Sequence, residues 1–192
     1  MGGWWIVGIA GSSVSVMVAG IWGFYGIDEL GIRLSIIATA RSSCLLFLLP
    51  FISSALTGIY SNQLTRFIRE NRRYFGLSFA ASHLWHAIAI IGLAIVTPSH
   101  YLEISIGGLL GYLFLTLMVV TSWDTTASWL GEYRWRILHT VGAYYLWIAF
   151  IVAFGKRLQY GGIYYLFVGL LVGSMILKIF AWYRSEKVKT SE

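Results

Sequence analysis

The sequence predicts an all-helical integral membrane protein, a bundle of six transmembrane helices with both termini in the cytoplasm. Composition is the first observation behind this prediction. Of 192 residues, 58% are hydrophobic and only 11% are charged, whereas a soluble domain carries about 25% charged residues. Such a chain lacks the polar side chains needed to face water on every side. Its apolar segments also run on without the alternation of a membrane β-strand, so helices are expected.

Six apolar segments are each long enough to cross a bilayer, which takes about 20 residues. They run over Trp4–Tyr25, Leu34–Tyr60, Tyr74–Val96, Ile104–Thr121, Trp135–Phe154 and Tyr164–Trp182. The second segment is longer than one crossing needs, so it must tilt or overhang, and Pro50 inside it is expected to kink the helix. Residues 1–183 thus form the transmembrane domain, and residues 184–192 form a polar cytoplasmic tail that we expect to fray.

Basic residues set the orientation of these segments. Six crossings put ten Lys and Arg residues on the side of the membrane that holds both termini and four on the other side. By the positive-inside rule, the side with ten is the cytoplasm. The net charge of +6 is therefore mostly a topology signal, and no nucleic-acid partner is expected. The arginines of residues 66–73 are expected to meet membrane lipids, with an acidic partner or acidic cofactor groups at the inner surface as the alternative.

Two pairs of glycines four residues apart permit close approach between helices. Gly107 and Gly111 lie in the fourth segment, and Gly169 and Gly173 lie in the sixth. We expect both pairs to serve packing within the chain, with a subunit interface as the alternative.

Four ionisable side chains at membrane depth are the candidate functional residues, because such groups are costly in hydrocarbon. They are His83, His86, His139 and Arg41. Hydrogen bonding to neighbouring helices is the simplest account of one buried imidazole. Three imidazoles on two segments that run in the same direction, with no intramembrane carboxylate for a proton relay, favour a cofactor. Haem held by imidazoles from two helices fits this set of residues.

A non-haem metal bound by nitrogen atoms of the same three histidines is the alternative cofactor. The fourth histidine, His100, falls in the opposite loop and is expected to be a solvated turn residue. Arg41 is expected either to pair with a haem propionate or to extend its guanidinium to the membrane interface.

Two runs of sequence resemble ferric-reductase-like transmembrane domains. Residues 72–86 contain two arginines, a Gly-Leu pair and a histidine ten residues after that glycine, and this run is similar to the third span of the family, whose ligand position falls on His86. The second run begins at residues 121–122, passes the Leu-Gly pair at 130–131 and ends in a Trp-x-x-Leu-His pattern, whose ligand position falls on His139. The resemblance covers spans two to five and extends to the haem-bearing subunit of periplasmic methionine sulfoxide reductase systems.

This resemblance implies a six-helix bundle that holds b-type haem and carries electrons across a bacterial inner membrane. The electron donor would be a quinone or a cytoplasmic-side reductase, and the acceptor would be a protein or metal on the other face. The chain would be an oxidoreductase subunit without a flavin or nicotinamide domain of its own, since 192 residues leave no length for one. A haem-free membrane scaffold or assembly subunit that keeps the fold is the alternative function.

The chain also departs from the two-haem members of that family, which carry a second histidine on each ligating helix. Arg72 and Val152 occupy those positions here, and neither side chain binds iron at neutral pH. We therefore expect one haem per chain, held by His139 and one histidine of the third segment. By helical rise, His86 lies about 15 Å further from the cytoplasm than His139 and His83 about 10 Å further, so the choice between them stays open.

Overall fold

The structure is a computed structural model that describes residues 2–97 and 106–190, and over those ranges it contains helices and turns but no strand. The α-helices are α1 Trp4–Tyr25, α2 Glu29–Ile59, α3 Gln63–Glu70, α4 Arg72–Val96, α5 Ile106–Val120, α6 Asp124–Leu130, α7 Glu132–Gly155 and α8 Gly162–Thr190, with a 3-10 turn at Leu158–Tyr160. Five of these helices, α1, α2, α4, α7 and α8, are long and apolar enough to cross a membrane. The all-helical prediction is confirmed, and the apolar helices are those expected of an integral membrane protein.

The predicted first segment agrees with α1 at both ends, whereas α2 begins before the apolar run does. The polar first turn of α2 is stabilised locally. Asp28 caps it by accepting a hydrogen bond from the backbone N–H of Gly31 at 3.0 Å. Glu29 and Arg33, four residues apart, form an ion pair at 2.7 Å. Capping and ion pairs extend a helix beyond its hydrophobic part.

The fourth predicted segment contains α5, whose 15 residues begin where the described residues resume, at Ile106. The next helix, α6, turns from α5 by 108° at a short break. By length and composition, the described chain therefore contains five helices that could cross a membrane, or six if α5 and α6 together make one span. Pro98, His100 and the first two residues of the predicted segment lie outside the described residues.

In the C-terminal segment, α8 continues as a helix to Thr190, so the described part of the predicted tail, residues 184–190, is helical. One contact that anchors this end is a hydrogen bond from Nη1 of Arg184 to the backbone oxygen of Ile59, at 3.2 Å. That carbonyl is at the last residue of α2, where helix carbonyls lack partners within the helix. Residues 191–192 of the predicted tail lie outside the described residues.

The two glycine pairs have different surroundings. A Cβ atom on Gly107 or Gly111 would contact Tyr145 of α7, and the Tyr145 hydroxyl donates to the backbone oxygen of Gly107 at 2.8 Å. Internal packing is therefore confirmed for this pair. Nothing lies within 4 Å of a Cβ placed on Gly169 or Gly173. The expectation of internal packing is wrong for the second pair, because the described chain leaves that side of α8 uncovered.

The described chain divides into two compact units, and the division passes through α2, which continues as one helix through Pro50. The first unit contains Met1–Phe47 and Tyr74–Ile104, so it is built from α1, the first part of α2 and most of α4. The indole Nε1 of Trp85 on α4 donates to Oγ of Ser15 on α1 at 2.9 Å. The rings of Phe47 and Phe79 meet edge to face at 5.4 Å between centroids, which joins α2 to α4.

The second unit contains Leu48–Arg73 and Ser105–Glu192. In this unit Gly142 of α7 faces the Met118 side chain of α5, whose sulfur would lie 2.6 Å from an added Cβ. The indole Nε1 of Trp147 on α7 donates to the backbone oxygen of Leu171 on α8 at 3.0 Å. The short helix α3, which the sequence analysis did not predict, also belongs to this unit.

Candidate functional site

His86 is held by two oxygen atoms of α2. Its Nδ1 lies 3.1 Å from the backbone oxygen of Ile36 and 3.1 Å from Oγ1 of Thr39. A carbonyl only accepts hydrogen bonds, so Nδ1 carries the ring proton and donates it. The Thr39 oxygen accepts as well, because its own proton is donated to the Ser35 carbonyl at 2.6 Å. In a neutral ring, this arrangement places the lone pair on Nε2.

Thr39 belongs to a hydroxyl ladder along α2, which we define as Ser35 and Thr39 with the carbonyl groups they bond. The Ser35 hydroxyl donates to the backbone oxygen of Gly31 at 2.9 Å, and the Thr39 hydroxyl donates in turn to Ser35. Both hydroxyl side chains are fully buried. The oxygen that accepts from His86 is therefore positioned by its own helix.

His83 lies one turn before His86 on α4 and stacks against it. The two ring centroids are 5.1 Å apart, and the ring planes differ by 24°. Phe79 follows the same face, with its ring centroid 5.3 Å from that of His83. The two axial ligands of a haem iron approach from opposite faces of the haem, whereas these imidazoles present their flat sides to each other. In these positions His83 and His86 are not an axial pair for one haem.

Three serines join α2 to α4 beside the histidines. Oγ of Ser82 lies 2.9 Å from Oγ of Ser42 and 2.9 Å from Oγ of Ser43. Ser43 and Ser82 are fully buried. Small hydroxyl side chains let membrane helices approach closely and hydrogen-bond to each other. This contact fixes the relative position of the helices that carry His86 and its partners.

Arg41 lies on α2, two residues after Thr39, and its side chain is half-buried. It shares the first unit with His83 and His86. This position is compatible with both expected roles, pairing with a propionate and reaching the membrane interface.

His139 lies on α7 in the second unit, and its Nε2 is 3.1 Å from Oγ1 of Thr121. The Thr121 hydroxyl donates its proton to the Leu117 carbonyl at 2.7 Å. The threonine oxygen therefore accepts from His139, and Nε2 carries the ring proton. His139 thus adopts the tautomer opposite to that of His86. It would have to release Thr121 before binding a metal through Nε2.

Trp135 packs on His139 from the preceding turn of α7. Their ring centroids are 4.3 Å apart, and the indole Nε1 donates to the backbone oxygen of Thr121 at 2.9 Å. Thr121 directly follows α5, where helix carbonyls lack partners within the helix. The guanidinium carbon of Arg72 lies 6.0 Å from the Trp135 ring centre. The Trp-x-x-Leu-His run therefore organises the break between α5 and α6.

The structure brings His83 and His86 together in the first unit and places His139 in the second. Over residues 2–97 and 106–190, no three His, Cys, Asp or Glu side chains are grouped so that they could hold a metal ion. The non-haem alternative requires three histidine nitrogen atoms on one ion, so it gains no support from these residues.

The sequence analysis missed the residues that orient the imidazoles. Thr39 on α2 bonds His86, and Thr121, in the turn after α5, bonds His139. A signal for Thr39 is present, because Ser35, Thr39 and Ser43 recur every four residues and share one face of α2. Hydroxyl residues on one face of a membrane helix indicate a contact with another helix. For Thr121, the signal is its place at the start of the second matched run.

Comparison of this chain with models of known protein families, with curated proteins and with solved structures finds no match. The resemblance to ferric-reductase-like transmembrane domains therefore depends on the two histidine-bearing runs alone. It stays a prediction from the sequence.

Proposed function

We propose that this chain is a b-type haem membrane protein that carries electrons across the membrane, with His86 as a haem ligand. The observation that carries the proposal is the hydrogen bonding of the His86 ring. Metal-binding histidines almost always donate their second ring N–H to an oxygen atom, which fixes the ring and its tautomer. His86 has this arrangement, with Nδ1 bonded to Ile36 and Thr39 and the lone pair on Nε2.

The other candidate residues take supporting roles in the proposal. His139 would be the other residue that holds the haem, if its Nε2 no longer bonds Thr121. His83 packs against the His86 ring and limits its motion. Arg41 pairs with a haem propionate. When bound, the haem supplies one-electron transfer, and the chain provides its ligands and a dry environment.

In this proposal the chain crosses a bacterial inner membrane six times, with α5 and α6 as one broken span and both termini in the cytoplasm. The ten-to-four division of basic residues supports this orientation. A quinone or a cytoplasmic-side reductase donates electrons, and a protein or metal on the other face accepts them. Reporter fusions after Arg73 and after Glu192 are expected to report cytoplasm, and an external signal from either would contradict the topology.

The haem content of the purified chain, expressed with ample haem, tests the proposal. We expect about one haem per chain by pyridine haemochrome assay and a sharp reduced absorption band. His86→Ala and His139→Ala are each expected to lose most of the haem. His100→Ala is the matched control and should keep it. Full haem content in His86→Ala would show that the proposed ligand is wrong.

A haem-free membrane scaffold is the second candidate function, and the contacts of His139 favour it. Its Nε2 already bonds Thr121, and its ring packs on Trp135, which is how a purely structural buried imidazole is satisfied. A colourless preparation after expression with ample haem would favour the scaffold. A wild-type haem band that disappears in His139→Ala would exclude it.

A further inference from the structure

A cleft of about 630 Å³ opens beside α3 in the second unit. Its walls are formed by the end of α2, by Ser61 in the turn after α2, by α3 and by the first residue of α4. The side chains that line it are Thr57, Ser61, Arg66, Arg69, Glu70 and Arg72. All six are polar or charged, so the cleft suits a polar ligand.

The local structure of α3 directs its arginines towards this cleft. Asn62 and Thr65 form a capping box at the start of the helix, and this box fixes where α3 begins. Thr65 and Ile68 of α3 are buried. Arg66 and Arg69 lie three residues apart on another face of α3 and are exposed.

The cleft carries an excess of positive charge. Three arginines and one glutamate line it, which leaves a net charge of +2. Arg33, Arg73 and Arg136 form ion pairs with acidic side chains, and none of these three arginines lines the cleft. Uncompensated guanidinium groups that converge on one space are suited to a phosphate, because each can donate two parallel hydrogen bonds to its oxygen atoms.

The position of the cleft favours a lipid over a free anion. The short helix α3 connects α2 and α4, two helices long and apolar enough to cross a membrane, so α3 lies where these crossings end. Leu64 and Phe67 are 64% and 38% exposed, and at 100° per residue they lie on the side of α3 away from the arginines. Exposed apolar side chains at this level suit contact with acyl chains.

We propose that this cleft binds the headgroup of an anionic phospholipid that carries hydroxyl groups, of the phosphatidylglycerol type. Arg66 and Arg69 contact the phosphate, and the Ser61 hydroxyl donates to it. Glu70 accepts hydrogen bonds from headgroup hydroxyls and repels a headgroup carboxylate, as in phosphatidylserine. The cleft contains none of the proposed haem-binding residues, so the lipid proposal and the haem proposal can be tested independently.

Native mass spectrometry of the full chain in detergent tests the lipid site, with phosphatidylglycerol, phosphatidylserine and phosphatidylcholine of identical acyl chains as probes. We expect phosphatidylglycerol to bind most tightly. The double variant R66Q/R69Q is expected to weaken its binding by about tenfold or more. R134Q/R136Q is the matched control, because it removes the same charge from exposed positions at the start of α7, and it should change binding by less than about twofold.

Three results would overturn the proposal. Equal weakening in the two double variants would show general surface attraction. Displacement of phosphatidylglycerol by an equal concentration of inorganic phosphate would show a free-anion site. The single variant E70Q covers the case in which R66Q/R69Q does not fold. It is expected to abolish the preference for phosphatidylglycerol over phosphatidylserine, and an unchanged preference would refute the assignment of Glu70.

Discussion

Replacing Gly31 by alanine tests the turn between α1 and α2. A Cβ on Gly31 would lie 2.0 Å from the backbone oxygen of Gly26, whereas even close carbon–oxygen contacts in proteins are about 3.3 Å. Gly31→Ala must therefore move the turn by about 1 Å. Two hydrogen bonds hold this turn, because Asp28 accepts from the N–H of Gly31 through its carboxylate and from the N–H of Ile32 through its carbonyl, each at 3.0 Å.

The expected cost follows from these two hydrogen bonds. At about 0.5–1.5 kcal/mol each, their loss lowers the free energy of unfolding by about 1–3 kcal/mol. Gly23→Ala on α1 is the matched control, since nothing lies within 4 Å of its added Cβ, and it should stabilise the helix by about 0.5–1 kcal/mol. The same gain accompanies Gly31→Ala within α2, so the two variants should differ by the loss of the two hydrogen bonds, about 1–3 kcal/mol.

Unfolding of each variant in mixed micelles, by adding sodium dodecyl sulfate and following circular dichroism, measures this difference. Gly31→Ala is expected to unfold at a lower fraction of sodium dodecyl sulfate than the wild type, and Gly23→Ala at an equal or higher one. If the two variants agree within about 0.5 kcal/mol, the close approach of Gly31 to Gly26 is refuted. The position assigned to the Gly31 carbonyl, which accepts from the Ser35 hydroxyl in the hydroxyl ladder, would then be refuted as well.

Three further predictions concern single hydrogen bonds. Asn62→Ala removes the cap of α3 and should cost about 1 kcal/mol, so hydrogen exchange along α3 should quicken about fivefold, and an unchanged rate would argue against the cap. Trp147→Phe removes the indole donor between α7 and α8 and should lower the free energy of unfolding by about 1 kcal/mol, whereas Trp129→Phe, at an 89% exposed position, should leave it unchanged. Nitrogen-15 spectra of the haem-free chain should show His86 protonated at Nδ1 and His139 at Nε2, and one shared tautomer would contradict the assigned hydrogen bonds.

The helices long and apolar enough to cross a membrane were predictable because each is a long apolar run, and hydrophobic length alone identifies such a helix. Both ends of α1 coincide with the ends of the first predicted apolar segment, because polar or glycine residues flank that segment directly. The short helices α3 and α6 were missed. With eight and seven residues, they give no span signal, and α3 depends on a capping box for its start.

The candidate site was predictable only as a set of residue types at a given depth. His83, His86 and His139 are conspicuous because imidazoles are costly in hydrocarbon. Their hydrogen-bond partners are set by tertiary contacts, and the Ile36 oxygen is 50 residues from His86 in the chain. Helical rise also gives no information on ring tautomers. The opposite tautomers of His86 and His139 follow from which neighbouring oxygen atoms can only accept a hydrogen bond, the Ile36 carbonyl and the threonine hydroxyls that already donate their own protons.

The hydroxyl ladder has a consequence for how the chain is inserted and assembled. Only three residues separate α1 from α2, so the two helices can enter the bilayer as one hairpin. Ser35 and Thr39 donate their protons to carbonyl groups of α2 itself. Even without a neighbouring helix, α2 therefore carries no unsatisfied donor at these two hydroxyl groups, which would be unfavourable in lipid. Their oxygen atoms still accept hydrogen bonds. The oxygen that accepts from His86 of α4 is therefore held in place by contacts within α2 alone.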